Sequence, residues 1–524
     1  MAINLVNGKM FKKMVTNGAI NLKNNCEYIN SLNVFPVPDG DTGINMSMTI
    51  DSGITEINKC ESDSIIDLSK IFARGLLMGA RGNSGVSLSQ YFRGLSVAIK
   101  SLQKDSLTPA DFLYCFEQGK EIAYRAFKDP VEGTMLTVIR ESYEAVKDKK
   151  FDSFEDLFTA YFEAAKVSEA NTPNLLPVLK EANVTDSGGE GFLKVVEGMY
   201  KAIMGEMITA EVEKETKNEY EYQLNYKLVL KDVESFQISD LRQDLSLKGD
   251  VEIEQNGQIL SVKISTDDLG RVLSLSEKFG SLVQVEVKNV KLNDELPEVK
   301  EDAPRKDMAV ITVAFGDGIK ETFKELGCAV VINGGQTMNP STESFVKACN
   351  EANADNVIIV PNNGNVIMAA EQATKLVEGC NVRVLHAKTI AQGYASLIAF
   401  DETQDLDSNM SDMEEAMANV KTGEVTYAVR DTSISGVEIK ANDFMGILDG
   451  DIIVSKADRI ESTKDLLKAA IDEDSAAVTI FVGNGVSEDE VSQLEEYIPT
   501  LNEDVEVEIV EGKQDIYSYI ISIE

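Results

Sequence analysis

A short stretch near the start of the chain contains side chains that could share one cation. It reads NVFPVPDGDTGINMSMT over residues 33–49 and carries the amide Asn33 and the carboxylates Asp39 and Asp41. The two carboxylates flank one glycine on a turn that two prolines stiffen, so both can face the same ion. Oxygen ligands of this kind suit a hard cation such as Mg²⁺.

The residues after Asp41 predict the start of a helix. Thr42, Gly43 and Asn45 would place free N–H groups and the positive end of a helix dipole beside the carboxylates, where an anion could bind. Metal and phosphate sites would then adjoin. The alternative is an ordinary Asp-Gly turn with a helix cap.

A Gly-rich polar turn followed by a helix recurs in this part of the chain. The four examples are DGDTG before Ile44, GARGNSG before Val86, EGTM before Leu136 and DSGGEG before Phe192. Each alone could be a structural cap. If the four helix starts converge, however, they form a phosphate pocket lined by backbone. No P-loop signature GxxxxGK[ST] occurs.

Composition excludes several kinds of partner. The 524 residues include 88 acidic and 50 basic side chains, a net charge of −38, so we expect no nucleic-acid partner. No apolar run approaches the roughly 18 residues of a membrane span, so we expect no membrane insertion. The N-terminus lacks the apolar core of a signal peptide, and the six cysteines show no CxxC spacing. We therefore expect a cytoplasmic protein with reduced thiols. His386 is the one histidine, which argues against histidine-rich metal sites.

The elements that must position these residues change in character along the chain. Residues 1–205 have apolar side chains at helical spacing, 206–300 read as a small α+β domain, and 301–524 read as an α/β domain with a parallel sheet. The fold class is therefore multidomain, with an all-α domain first.

Four motifs, NVFPVPDGDTGINM, GARGNSGVSLSQYFRG, VEGTMLTVIRE and TDSGGEGF, carry a resemblance to a known family. They resemble the DhaL-type (DAK2) nucleotide-binding domain of dihydroxyacetone kinases, in the variant that heads the fatty acid kinase catalytic subunit. The resemblance implies an eight-helix antiparallel barrel that binds ATP and two Mg²⁺ at one end.

The same resemblance implies roles for particular residues. Asp39 and Asp41 would be the catalytic metal ligands, with Asn33 near the place of a third ligand. The phosphates and adenine would be lined by Asn45, Gly82, Asn83, Ser84, Gly85, Thr134, Met135, Asp186 and Gly188. Arg81 and Arg140 are candidates for the cation that stabilises the transferred group.

The middle domain departs from the family pattern. Where the family has a cysteine and an HxH pair able to hold zinc, this chain has Gln223, Lys263 and Ser265. Neither lysine nor serine is a normal zinc ligand, so we expect no zinc there. Lys263 could instead face a carboxylate substrate, or it could be an exposed lysine on a strand.

The third domain also resembles the fatty acid kinases, in VINGGQTMNPSTE, IIVPNNGNVIMAAEQA and AKTIAQGYASLIAFD. The loops Gly334 to Thr342 and Asn362 to Asn365 follow predicted parallel strands, where open α/β sheets bind ligands, although Asn and Gly also suit plain connections. His386 lies at a strand end and is interpreted as structural.

The resemblance implies a kinase that phosphorylates the carboxylate of a long-chain fatty acid. A separate DegV-like fatty-acid-binding protein would present the acid, and the product would be an acyl phosphate. A carboxylate is already ionised at pH 7, so this acceptor needs no histidine base. The alternatives are a kinase for a small hydroxylated substrate such as dihydroxyacetone and a non-catalytic, nucleotide-binding scaffold for the carrier protein. A homodimer is left open.

Overall fold

The computed structural model describes most of the chain in two compact units. One unit joins Met1–Ala210 with Arg305–Glu524, and the other is Glu211–Pro304. The first unit thus contains the two segments that the sequence analysis separates as first and third domains. The described residues are 3–34, 40–210, 222–231, 236, 238, 241, 242, 245, 249–256, 258–289, 304–334, 339–428, 431–434 and 436–524.

The first segment is helical, as predicted. Eight of its described helices have ten residues or more, and two, α2 and α9, are short. The helices α1 to α10 are Gly8–Asn24, Cys26–Ser31, Thr42–Lys59, Ile65–Gly79, Gly82–Leu102, Pro109–Arg125, Met135–Glu144, Phe154–Leu175, Pro177–Glu181 and Ser187–Ile203. A two-residue antiparallel pairing, β1 (Val6–Asn7) with β2 (Ser106–Leu107), also belongs to this segment.

Side-chain caps and a buried aromatic core hold these helices. The Thr108 hydroxyl and the Asp111 side chain form a reciprocal capping box at the start of α6. Inside, Phe72 packs edge-to-face on Phe92, and Phe112 packs in the same way on Phe116. The core therefore occupies the bundle interior and leaves the helix ends available for polar groups.

The second unit contains a four-stranded antiparallel sheet with the order β4-β5-β3-β6. Its strands are β3 (Tyr222–Leu230), β4 (Gly249–Asn256), β5 (Ile259–Thr266) and β6 (Gly280–Asn289), with helix α11 (Leu269–Ser276) between the last two. These elements agree with the predicted α+β character. The sequence also predicts a helix over 235–245, and these positions lie largely outside the described residues.

The α/β segment begins with a four-stranded parallel sheet of order β10-β9-β7-β8, as its short apolar runs predict. The strands β7 to β10 are Lys306–Ala314, Val330–Asn333, Ala354–Val360 and Asn381–Val384. The helices α12 to α16 are Asp317–Glu325, Thr342–Glu351, Ile367–Thr374, Ile390–Ile398 and Leu406–Ala418.

A mixed six-stranded sheet completes the segment, with the order β15-β14-β11-β18-β16-β17. The strands β11 to β18 are Lys421–Tyr427, Thr432–Ile434, Val437–Ile439, Phe444–Leu448, Asp451–Lys456, Ala477–Val482, Glu506–Glu511 and Tyr517–Ile523. Strands β12 and β13 pair as a separate hairpin. Helices α17 (Arg459–Ala470) and α18 (Glu488–Leu501) accompany the sheet.

Two findings concern the chain as a whole. All six cysteines are free thiols. Among the described helices, none combines the length and the apolar character that a bilayer crossing requires.

Candidate functional site

The first residues of α3, α5, α7 and α10 come together at one end of the bundle. Between α10 and α3, the Ser187 hydroxyl donates to Thr42 Oγ1 at 3.1 Å. A Cβ added to Gly188 would lie 3.4 Å from both Met135 Cε and Ser84 Oγ, so α10 also adjoins the starts of α7 and α5. We call these four helix starts and their caps the helix-start site.

Close backbone packing joins α3 and α5. Gly82 has φ +60°, and a Cβ there would lie 2.9 Å from Asn45 Nδ2. The Arg81 N–H donates to Thr49 Oγ1 at 3.2 Å, and a Cβ at Gly85 would overlap the same hydroxyl. Glycine is therefore needed at Gly82 for the left-handed backbone and at Gly85 for the close approach of α5 to α3.

Asp41 is the buried N-cap residue of α3. Its side chain is 3% exposed, and its Oδ2 accepts a hydrogen bond from Asn339 Nδ2 at 2.7 Å. Asn33 is also buried, and its Oδ1 accepts from the Ser187 hydroxyl at 3.4 Å. Asp39 lies outside the described residues. Two of the three predicted metal ligands therefore border the convergence of α3 and α10.

The donor atoms present fit a hard cation. Asp41 supplies a carboxylate, and Asn45 supplies a buried Oδ1 without a hydrogen-bond partner in the described part of the chain. Asn339 Oδ1 is also buried without a hydrogen-bond partner in the described part of the chain. These are oxygen ligands, as Mg²⁺ prefers. No group of three or more His, Cys, Asp or Glu side chains with metal-binding placement occurs among the described residues.

The expectation that Gly43 presents a free N–H to an anion is wrong. Asn30 Oδ1 accepts from the Gly43 N–H at 2.8 Å and from the Ile44 N–H at 3.3 Å. A Cβ at Gly43 would overlap the Cys26 carbonyl. The glycine therefore allows α2 to pack on α3, and an amide already satisfies this helix start.

Two buried carboxyl groups adjoin the start of α10. Asp186 caps the helix by accepting from the Gly189 N–H at 2.7 Å. Burial raises the pKa of Asp186 to about 6, although the N–H groups of Gly189 and Met135 act in the opposite direction. Burial also raises the pKa of Glu169 to about 9, with repulsion from Asp186 and Glu190 adding to it. Glu169 is therefore a neutral acid at pH 7.

The remaining predicted residues lie at the same helix starts. Thr134 is the N-cap residue of α7, and its hydroxyl donates to the Val131 carbonyl at 2.7 Å. Asn83 in the first turn of α5 donates through Nδ2 to Asn365 Oδ1 at 3.3 Å. The predicted contact loop 362–365 thus reaches the helical segment. Of the other contact loop, residues 335–338 lie outside the described part.

The two candidate cations have different surroundings. Arg140 donates to Glu132 at 2.8 Å, to Glu144 at 3.1 Å and to the Tyr124 hydroxyl at 3.1 Å. Arg81 caps α5, and its Nη1 donates to the Asn339 carbonyl at 2.6 Å. Burial lowers the pKa of Arg81. Arg81 is therefore the candidate at the helix-start site, whereas carboxylates already neutralise Arg140.

The middle-domain positions form a surface cluster. Gln223 and Ser265 are direct partners across β3 and β5, and Lys263 pairs with Asn225. Because Lys263 and Ser265 are two residues apart on one strand, they share the face of Gln223. Lys263 is exposed. In the other unit, His386 is also exposed, with its Nε2 2.8 Å from Glu371 Oε1.

Sequence reasoning missed three residues that border the helix-start site. Asn30 caps α3 from thirteen residues away, Glu169 is a buried acid, and Asn339 was included only as a member of a loop. A signal existed for Glu169, because it shares the apolar face of α8 with Tyr161 and Ala165. The others depend on contacts that no local pattern encodes.

Family models match two parts of the chain. Residues 36–201 match the DAK2 domain, and residues 309–524 match the model for the C-terminal part of FakA-like fatty acid kinases. The first match contains the four helix starts and their caps, and the second contains Asn339. Both are domains of kinase families.

Solved structures and one curated relative are also similar. The native dihydroxyacetone kinase of C. freundii is 16% identical, covers 42% of this chain and 48% of its own, and has a TM-score of 0.32. A fatty-acid-binding DegV family protein from Thermus thermophilus is 15% identical, covers 41% of this chain and 99% of its own, and has a TM-score of 0.31. Protein YloV of Bacillus subtilis (strain 168) is 40% identical over an alignment of 556 positions, gaps included, that covers 100% of both chains.

Proposed function

Because the chain belongs to the FakA-like fatty acid kinase family, we propose that it phosphorylates the carboxylate of a long-chain fatty acid. ATP would be the donor, and a separate DegV-like fatty-acid-binding protein would present the acid. The observation that carries this proposal is the convergence of four helix starts around the buried Asp41. Helix starts bind phosphate, and a carboxylate beside them can hold the cation that accompanies it.

The reaction needs few chemical groups from the protein. An acceptor carboxylate oxygen forms a bond to the γ-phosphorus, the bond from that phosphorus to the bridging oxygen breaks, and ADP leaves with the electron pair. A carboxylate of ordinary pKa is ionised at pH 7, so no base must remove a proton. The one histidine of the chain, His386, is exposed, and this chemistry does not require it as a base.

The residues of the helix-start site would position the nucleotide. The N–H groups of Gly82, Asn83 and Ser84 open α5 and have no acceptors within that helix, so they can donate to phosphate oxygens. Asp41 and Asn45 would hold Mg²⁺ with Asn33 and Asp39. When bound, this cation supplies charge neutralisation between phosphate oxygens.

Arg81 would stabilise the transferred group. Its guanidinium is held at the start of α5 by the Asn339 carbonyl, so it need not be ordered when the substrates bind. Of the two buried acids nearby, Glu169 adds no competing charge because it is neutral at pH 7, whereas Asp186 is mostly ionised and accepts from the Gly189 N–H. Glu190 is paired with Lys194 at 3.2 Å.

The test is ATP-dependent acyl phosphate formation, trapped with hydroxylamine, from oleate-loaded carrier protein and Mg²⁺. We expect product with the wild-type chain and none with Asp39→Ala plus Asp41→Ala. The matched control is Asp51→Ala, because Asp51 lies on the same helix but is half-exposed and paired with Lys23 at 3.4 Å. This control should retain the wild-type rate.

Two results would contradict the proposal. Mg·ATP binding without product would favour a nucleotide-binding scaffold. Product from dihydroxyacetone, with none from the loaded carrier, would favour the small-substrate kinase.

A further inference from the structure

A segment of the α/β half contacts the helix-start site directly. Asn339 is fully buried, and its Nδ2 donates to Asp41 Oδ2 at 2.7 Å. Its backbone carbonyl accepts from Arg81 Nη1 at 2.6 Å. One residue therefore bonds both the carboxylate proposed to hold the cation and the guanidinium proposed to stabilise phosphoryl transfer.

Further hydrogen bonds join the α/β half to α5 and to the turn before it. The Thr342 N–H donates to the Ala80 carbonyl at 3.2 Å, just ahead of α5. Farther along α5, Gln90 Nε2 donates to Gln372 Oε1 on α14 at 3.3 Å. These contacts lie within one compact unit, so Asn339 has a defined place against the bundle.

Unsatisfied oxygens mark the same place as a ligand site. Asn339 Oδ1, Asn45 Oδ1 and Thr342 Oγ1 are buried without partners in the described part of the chain. A buried polar atom left in this state costs about 1–3 kcal/mol, so a group that bonded to it would be favoured. The amide nitrogens of Asn45 and Asn339 lie 2.9 and 3.7 Å from the position that a Cβ on Gly82 would occupy. Both amides therefore flank the glycine at the start of α5.

We propose that Asn339 is a positioning residue of the nucleotide site, supplied by the C-terminal half of the chain. Its amide orients the Asp41 carboxylate for the cation, and its carbonyl holds Arg81 at the phosphates. The helical segment alone is then an incomplete site. This inference rests on the proposed function, since it assumes that Mg²⁺ and nucleotide bind at the helix starts.

A purely structural role for Asn339 makes a different prediction. If the residue only joined the two halves, breaking another bond of the same interface would have the same effect. Gln372 is suited to that comparison because it is buried and bonds to α5, yet its partner Gln90 lies beyond the first turns of that helix. Gln372→Leu removes the interhelical bond and keeps most of the side-chain volume.

The experiment is a fluorescence titration of the full-length chain with a fluorescent ATP analogue, at increasing Mg²⁺ and in EDTA. For Asn339→Ala we expect the Mg²⁺ concentration at half-saturation to rise about tenfold, as for loss of a group that orients a metal ligand. Binding in EDTA should stay within twofold of the wild-type value. Gln372→Leu should match the wild type in both conditions. Asn339→Ser provides the same test if Asn339→Ala does not fold.

The outcomes separate this inference from the proposed function. A wild-type chain without Mg²⁺-dependent nucleotide binding would overturn the proposed function. If the wild type binds and Asn339→Ala shows an unchanged Mg²⁺ dependence, only the inference on Asn339 is overturned. Equal shifts in Asn339→Ala and Gln372→Leu would also overturn it, in favour of interface stability.

Discussion

The helix-start site and the cluster of Gln223, Lys263 and Ser265 correspond to the two places where the family pattern has metal ligands, yet their surroundings differ. In the first, Asp41 and Asn45 are each 3% exposed. In the second, Lys263 is exposed, and Gln223 and Ser265 are only half-buried on a sheet surface. The first site encloses oxygen atoms, whereas the second presents a positive charge to solvent.

This difference supports the proposal of a ligand at the helix-start site rather than at the strand cluster. Buried oxygens without partners, such as Asn45 Oδ1 and Asn339 Oδ1, destabilise the fold unless something binds to them. Side chains on an open strand face are solvated and carry no such cost. Substitutions at the helix-start site should therefore reduce activity and those in the strand cluster should not.

The largest effect is expected for Asp41→Asn. The substitution keeps the shape and an oxygen acceptor for the Asn339 amide but removes the charge that would hold Mg²⁺. We expect kcat for acyl phosphate formation to fall about 10³-fold, which corresponds to about 4 kcal/mol of transition-state stabilisation. Asp51→Asn on the same helix is the control, and an equal loss there would point to a general effect on α3.

The next effect separates the two candidate cations. Arg81→Gln should lower kcat about 10²-fold with little change in nucleotide affinity, because the lost charge would act on the transferred group. Arg140→Gln should leave kcat within twofold, since Glu132 and Glu144 already pair with that arginine. Steady-state kinetics of both variants measure the difference. The reverse order of the two effects would place the transition-state cation at α7.

Gly82→Ala should weaken nucleotide binding about tenfold. An alanine there meets two costs, the left-handed backbone at φ +60° and the contact with Asn45 Nδ2. Gly205→Ala is the matched control, because Gly205 has φ +83° and no atom within 4 Å of an added Cβ. Fluorescent nucleotide titration of both variants separates backbone strain from the local contact. A similar loss of affinity in Gly205→Ala would contradict a specific role for the α5 start.

Glu169→Gln should stabilise the chain increasingly as pH rises. The pKa of this carboxyl is about 9 in the folded chain and about 4.5 when unfolded, so the folded state binds the extra proton between these values. Stability of the wild type therefore falls as pH rises from about 4.5 to 9, and glutamine removes this dependence. At pH 8 we expect a gain of about 1 kcal/mol or more.

Thermal unfolding at pH 6 and pH 8.5 checks the Glu169 prediction. Glu163→Gln on the same helix is the control, because Glu163 is exposed and pairs with Lys166 at 3.1 Å. A Glu169→Gln gain of equal size at both pH values would show that the carboxyl is not neutral in the folded chain.

Local pattern was sufficient for much of the fold. Helical spacing over residues 1–205 predicted the helical segment, and short apolar runs predicted the parallel sheet. Local sequence pattern did not predict the strand order of the six-stranded sheet. Its final strand, β18, lies between β11 and β16, and pairing between segments so far apart in sequence leaves no local periodicity.

The same limit applies to the helix-start site. Gly-rich turns predicted four helix starts, because glycine and polar caps act within a few residues. The bond from Asn339 to Asp41 joins residues 298 positions apart, so sequence spacing could not pair them. Gly43 was misinterpreted for a related reason, since the Asn30 amide that occupies its N–H belongs to a different helix.

The smallest effect is expected for Lys263→Ala. An exposed lysine on β5 is solvated, and its removal disturbs no buried group, so acyl phosphate formation should stay within twofold of wild type. Lys227→Ala, which removes another exposed lysine from the neighbouring strand β3, is the control. Should Lys263→Ala alone lose more than tenfold, the strand cluster would take part in recognising the acidic substrate. Exposure would then no longer distinguish the proposed functional site from the surface cluster, because substitution of an exposed residue would also reduce activity.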